Sequence, residues 1–188
     1  ISWWSAMEDS SRDAKRFQYE RFILSQLLVM ALKGVPAFYL PALLASENDI
    51  KSFSMTGQRR DLNREKFKSD NLSAVLNNPE SNANKNLKYL RNAMDVRSEL
   101  KQFHPFSQMK CLSKGRSDIV VIKRGKGPGS VFAIHNMTEN KINYQLNDND
   151  LPKIIDNDFN THDFLTSTKY NCKNISLDPF QVIWLSAL

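Results

Sequence analysis

Arg59, Arg60 and Arg64 crowd together in the stretch TGQRRDLNREKF, with Asp61 and Asn63 between them. Like charges this close repel one another and add little to a core, so the cluster either faces solvent or grips an anion. A guanidinium holds a phosphate or carboxylate through paired hydrogen bonds from its planar fork, which makes arginine the telling residue type here. Asp61 and Asn63 are placed to orient such forks. The same spacing lets the three arginines ride on a short helix and pair with Asp61 and Glu65, and both readings stand. Upstream, Asn48 and Asp49 close the run PALLASEND and are further candidates for lining a pocket.

Other chemistry finds little support. His104, His135 and His162 are scattered, with no second ligand type at helical spacing, and neither G-x-S-x-G nor S-x-x-K occurs. DNDFNTHDF opens like a calcium loop at Asp156, Asp158 and Asn160, but Thr161 stands where the sharp turn needs glycine and Ser167 where a bidentate glutamate belongs. No cofactor or metal is therefore expected. Cys111 and Cys172 lack metal-ligand spacing and read as reduced thiols, which with no secretory leader suggests the cytoplasm. The apolar runs are too short for a membrane span. The net charge of +6 is concentrated in residues 51–115. Phe53, Phe67, Tyr89 and Phe103 lie far apart there, so the basic third lacks the stacking faces that a nucleic-acid platform needs.

The elements that must position the arginines follow from periodicity. Phe17, Leu24, Leu27, Leu28, Ala31 and Leu32 recur at helical spacing and predict a helix over Asp13–Lys33, closed by Gly34. VPAFYL, residues 35–40, then reads as a buried apolar strand of the kind found in parallel sheets. Residues 41–82 form a polar connection long enough to be functional, and in a parallel barrel the loop leaving the carboxyl end of a strand faces the active site. Leu87, Leu90, Met94 and Leu100 predict a helix over Asn84–Phe103, ended by Pro105. Beyond it the period changes to two. DIVVIKR, SVFAIHN, KINYQL, NISL and FQVIWL predict short strands, with RGKGPGS and HNMTENK as hairpin turns. The fold class expected is α+β, with domains at 1–105 and 106–188, the second a small antiparallel β-sandwich.

RFILSQLLVMALKGVPAFYLPALLASEND, TGQRRDLNREKF and FHP together resemble the last part of the catalytic barrel in sucrose phosphorylase-like enzymes, a branch of the α-amylase superfamily that includes sucrose 6-phosphate and glucosylglycerate phosphorylases. VFAIHNMTE and ISLDPFQVIWL are similar to strands of their C-terminal β-domain, whereas about 110–126 and 147–173 match poorly. The resemblance implies the last helix-strand-helix portion of a (β/α)₈ barrel. It implies retaining transfer of a glucosyl group between a sucrose-like donor and phosphate, through an Asp nucleophile, a Glu acid/base and a second Asp. All three carboxylates would precede Ile1, so no catalytic residue is expected here, the chain alone would be inactive, and an N-terminal barrel portion would be its partner. By resemblance Arg60 takes the place of the phosphate- or acceptor-binding arginine and Arg64 that of the motif's second arginine, while Asn48 and Asp49 match the pocket-lining pair after the eighth strand. Arg59 adds a charge where a small residue is common, which suits an acidic or phosphorylated acceptor. The expected ligands are thus a small sugar and inorganic phosphate, without nucleic acid or membrane. The alternatives are a hydrolase or transglucosidase of the same superfamily, or a non-catalytic module binding carbohydrate or nucleic acid.

Overall fold

The computed structural model describes residues 1–9, 13, 15–127, 129–147 and 160–186. The chain divides into two compact units, one formed by residues 1–23 and 37–92, the other by 24–36 and 93–188. The first is helical. It contains the start of α1 (Gln18–Ala31), the short α2 (Leu40–Leu43), α3 (Ile50–Thr56), α4 (Ser69–Asn77) and most of α5 (Asn82–Glu99). Trp4, Phe22, Ala42 and Ala45 form a buried cluster, with Trp4 meeting the Phe22 ring edge-on at 5.2 Å.

The second unit is built on a four-stranded antiparallel sheet in the order β1 (Met109–Cys111), β2 (Ile119–Arg124), β3 (Val131–Asn136) and β8 (Val182–Ser186). Register aligns Ile122, Ala133 and Trp184 across its middle. Strand alternation places Ile119, Val121, Phe132, Ile134, Ile183 and Leu185 on the other face, where they pack with Leu146, Cys172, Ile175 and Leu177. These last come from or beside two small ribbons: β4 (Ile142–Tyr144) with β7 (Ile175–Leu177), and β5 (Asn160–His162) with β6 (Lys169–Asn171). Trp184 meets Phe103 at a ring distance of 4.7 Å, so both sheet faces are covered.

The mixed α and β content matches expectation, as do the five strands read from the sequence. Neither a closed barrel nor a sandwich of two full sheets forms among the described residues. Four local expectations change. Residues 35–39 belong to no helix or sheet among the described residues, Leu40 already opens α2, and Val35 is 79% and Tyr39 52% exposed. A strand needs a neighbour to take its backbone donors and acceptors, and none is paired with it. The first helix starts at Gln18 because Phe17 adopts a left-handed φ of 56°, while Asp13 organises a preceding turn by accepting the Lys15 amide at 3.2 Å. The second long helix ends at Glu99, and a 3₁₀ turn at Lys101–Phe103 follows it. RGKGPGS does join the paired strands β2 and β3, whereas HNMTENK leads from β3 to β4, which pairs with β7. Asn136 tightens that turn by accepting from the Thr138 amide at 3.0 Å and hydroxyl at 2.9 Å. Asp156 and Asp158 lie outside the described residues.

Candidate functional site

The candidate residues all fall in the helical unit, on the connection after Tyr39. Pro41 sits in the first turn of α2, where its missing amide donor costs nothing. Asn86 of α5 ties that turn down, its side-chain amide donating to the Ala42 carbonyl at 3.1 Å and the Leu43 carbonyl at 2.7 Å. The next residues are held from the other side. Asn48 accepts the Ser2 amide at 2.6 Å, and its own amide donates to the Ser5 hydroxyl at 3.1 Å.

Asp49 is the N-cap of α3. One carboxylate oxygen accepts the Ser52 amide at 2.9 Å and the other the Ser52 hydroxyl at 2.6 Å. These two hydrogen bonds, led by the hydroxyl, hold its carboxyl below the usual carboxylate range, with smaller help from Lys66 and Lys51. The Asp49 amide donates to the Leu62 carbonyl at 2.8 Å, which joins the start of α3 to the arginine stretch.

That stretch folds as a 3₁₀ turn at Arg59–Asn63, capped by Arg64. The chain reverses into it at Gly57, whose left-handed φ of 69° is a conformation that a side chain would strain. Arg59, Arg60 and Arg64 are all exposed, and their guanidinium groups make no ion pair or hydrogen bond among the described residues. Asp61 does not neutralise them, since its carboxylate accepts the Thr56 hydroxyl at 2.7 Å instead. The pairing with Asp61 and Glu65 that the spacing allowed does not form. Three unengaged cationic forks on one turn are a feature that can hold an anion.

Two hollows adjoin these elements. Asn48 and Asp49 line a groove of about 1100 Å³ together with Lys51, Glu65, Lys66 and Asn71, and the three arginines stand outside it. A smaller pocket of about 390 Å³ brings Trp3 and Tyr39 together with Asn63, a residue of the arginine turn. Trp3 and Tyr39 are half-exposed aromatics, each able to present an apolar face and a polar tip to a sugar ring. Sequence reading missed this pocket. Trp3 and Trp4 are adjacent in the sequence, but no spacing rule brings residue 3 to residue 63.

No family model matches the chain. A glucosylglycerate phosphorylase of Allomeiothermus silvanus is 31% identical over 130 residues, covering 69% of this chain and 23% of that protein. The glucosylglycerate phosphorylase of Escherichia coli K12 is 24% identical over 166 residues, covering 88% of this chain and 28% of that protein. Among solved structures, the α-amylase of Geobacillus thermoleovorans complexed with acarbose superposes with a TM-score of 0.64 at 17% identity, over 89% of this chain and 33% of that one. The trehalose-6-phosphate hydrolase of Bacillus licheniformis gives 0.61 at 15% identity, over 93% and 40%. The chain has an α-amylase-superfamily fold. It is distantly homologous to the glucosylglycerate phosphorylases, and it spans about a quarter of the length of these two relatives. Within the superfamily fold the described residues offer no group of three His, Cys, Asp or Glu side chains that could hold a metal ion, and no described helix is long and apolar enough to cross a membrane.

Proposed function

We propose that this chain is the C-terminal part of a cytoplasmic glycoside phosphorylase, residues 1–105 completing a (β/α)₈ barrel and 106–188 forming its β-domain. The enzyme moves a glucosyl group between an α-glucoside and inorganic phosphate with retention, using carboxylates supplied upstream of Ile1. The observation that carries the reading is the turn bearing Arg59, Arg60 and Arg64, whose guanidinium groups are exposed and unengaged. Arg60 and Arg64 contact phosphate or an acidic acceptor, and Asn48 and Asp49 line the approach. The names of the relatives support an acceptor with a carboxylate, such as glycerate. Trp3 and Tyr39 offer stacking faces for the sugar.

A hydrolase or transglucosidase is the second reading, favoured by the fold's likeness to α-amylases and a trehalose-6-phosphate hydrolase. Product analysis of the full-length enzyme separates the two: release of glucose 1-phosphate that depends on added phosphate supports phosphorolysis, and release of free glucose alone rejects it. In the phosphorolytic enzyme, Arg60→Ala is expected to raise the KM for phosphate about tenfold or more, the cost of one charge-assisted contact. An unchanged phosphate dependence in that variant would remove Arg60 from the site.

A further inference from the structure

The reading of the arginine turn as an anion site leaves a question that electrostatics alone does not answer. Asp61 lies inside the cluster, and a carboxylate among three arginines is a built-in competitor that can pair with them and offset their charge. It does not do so because it is already engaged. α3 ends at Thr56, Gly57 reverses the chain with its amide donating to the Phe53 carbonyl at 2.8 Å, and the Thr56 hydroxyl then faces the turn. This hydroxyl accepts the Gln58 amide at 3.2 Å, and its one proton has two acceptors in reach, the Asp61 carboxylate at 2.7 Å and the Ser52 carbonyl at 3.0 Å, of which the nearer, charged one is favoured. A second tie, from the Asp49 amide to the Leu62 carbonyl at 2.8 Å, holds the far side of the same turn.

We propose that Thr56 and Asp61 are positioning residues for the anion site, the Thr56 hydroxyl sequestering the Asp61 carboxylate so that Arg59, Arg60 and Arg64 stay available to phosphate or an acceptor carboxylate. This rests on the proposed role of Arg60 and adds a mechanism for it. The turn carries its own counter-charge but parks it on a neutral hydroxyl. Remove the hydroxyl and the carboxylate is free to swing onto the guanidinium forks, competing with the incoming anion from within. Remove the negative charge as well and the competition disappears.

The test is phosphate binding by the full-length enzyme, read as its KM for inorganic phosphate in the release of glucose 1-phosphate. Thr56→Val is expected to weaken phosphate binding about fivefold, the loss of one hydrogen bond to a charged group. Thr56→Ser is expected to restore it. Asp61→Asn keeps an acceptor for Thr56 without the charge and should bind phosphate at least as tightly as the unaltered chain. The double variant Thr56→Val with Asp61→Asn is the deciding arm. Recovery above Thr56→Val alone supports sequestration, because a hydroxyl needed only to build the turn would not be rescued by changing Asp61. A double variant as weak as Thr56→Val, or a Thr56→Val variant that binds normally, overturns the proposal. Arg60→Ala runs alongside: if it alone weakens binding, the anion site stands without its latch, and if it too leaves binding unchanged, the anion site itself falls and the latch with it.

Discussion

His135 stands in β3 wholly buried, its Nδ1 3.2 Å from the Val120 carbonyl. Burial pushes the imidazole down to about 4 against backbone carbonyls that favour the charged ring. Its ordinary value is about 6.5, so the unfolded chain takes a proton in this range that the folded chain refuses. The contribution to stability is therefore fully present above about pH 6.5 and is lost as the pH falls towards 4, by on the order of 3 kcal/mol. Asp163 works in the opposite sense. Burial raises its carboxyl above the usual range despite hydrogen bonds from the Thr166 hydroxyl and the Trp184 and Leu165 amides, so what it contributes is greatest in acid and lost as the pH rises. Urea midpoints measured from pH 7 to 4 should fall less steeply in His135→Gln than in the unaltered chain. The two thiols differ as sharply. Burial pushes Cys172 up to about 11, whereas Cys111 is exposed, so a thiol reagent should modify Cys111 in the folded chain and Cys172 only on unfolding. At this scale the arginine cluster was legible from residue type, but its freedom from Asp61 was not, because that depends on a reversal at Gly57 and a hydroxyl that periodicity does not see.

Among the elements, the carboxyl end of α1 shows what strand alternation conceals. The last carbonyls of a helix have no partner within it and carry its negative pole. Here Arg124 donates to the Ala31 and Leu32 carbonyls at 3.0 and 2.6 Å and to His104 at 3.0 Å, while Arg97 donates to Met30 and Gly34, both at 2.9 Å. Both guanidinium groups stand over the Phe103 ring, at 5.5 and 5.8 Å. Replacing Arg124 by leucine removes three hydrogen bonds from buried or half-buried carbonyls and should cost about 3 kcal/mol in urea unfolding. An arginine at the end of DIVVIKR looks like a solvent-facing terminator, and only the cover on both faces of the sheet makes it core. The long helices and β2, β3 and β8 were legible because each has enough residues to repeat its period. VPAFYL was not, since its composition states that it should be buried but not that a neighbouring strand is required.

For the molecule as a whole, that same segment is the main exposed liability. Val35 and Tyr39 are exposed along residues 35–39, which pair with no strand among the described residues. Exposed apolar backbone without a strand partner invites pairing with another chain. The 21.6 kDa chain should elute above its monomer size on gel filtration, and Val35→Lys combined with Tyr39→Lys should move it towards monomer. The superfamily fold was legible from motifs around this segment even though its strand was not, because the neighbouring PALLASEND and RRDLNR stretches keep their identity whether or not a barrel closes. The helix-end cover by Arg124 carries a consequence for assembly in time: Ala31 and Arg124 are 93 residues apart, so during synthesis the last turn of α1 emerges long before the side chain that satisfies it.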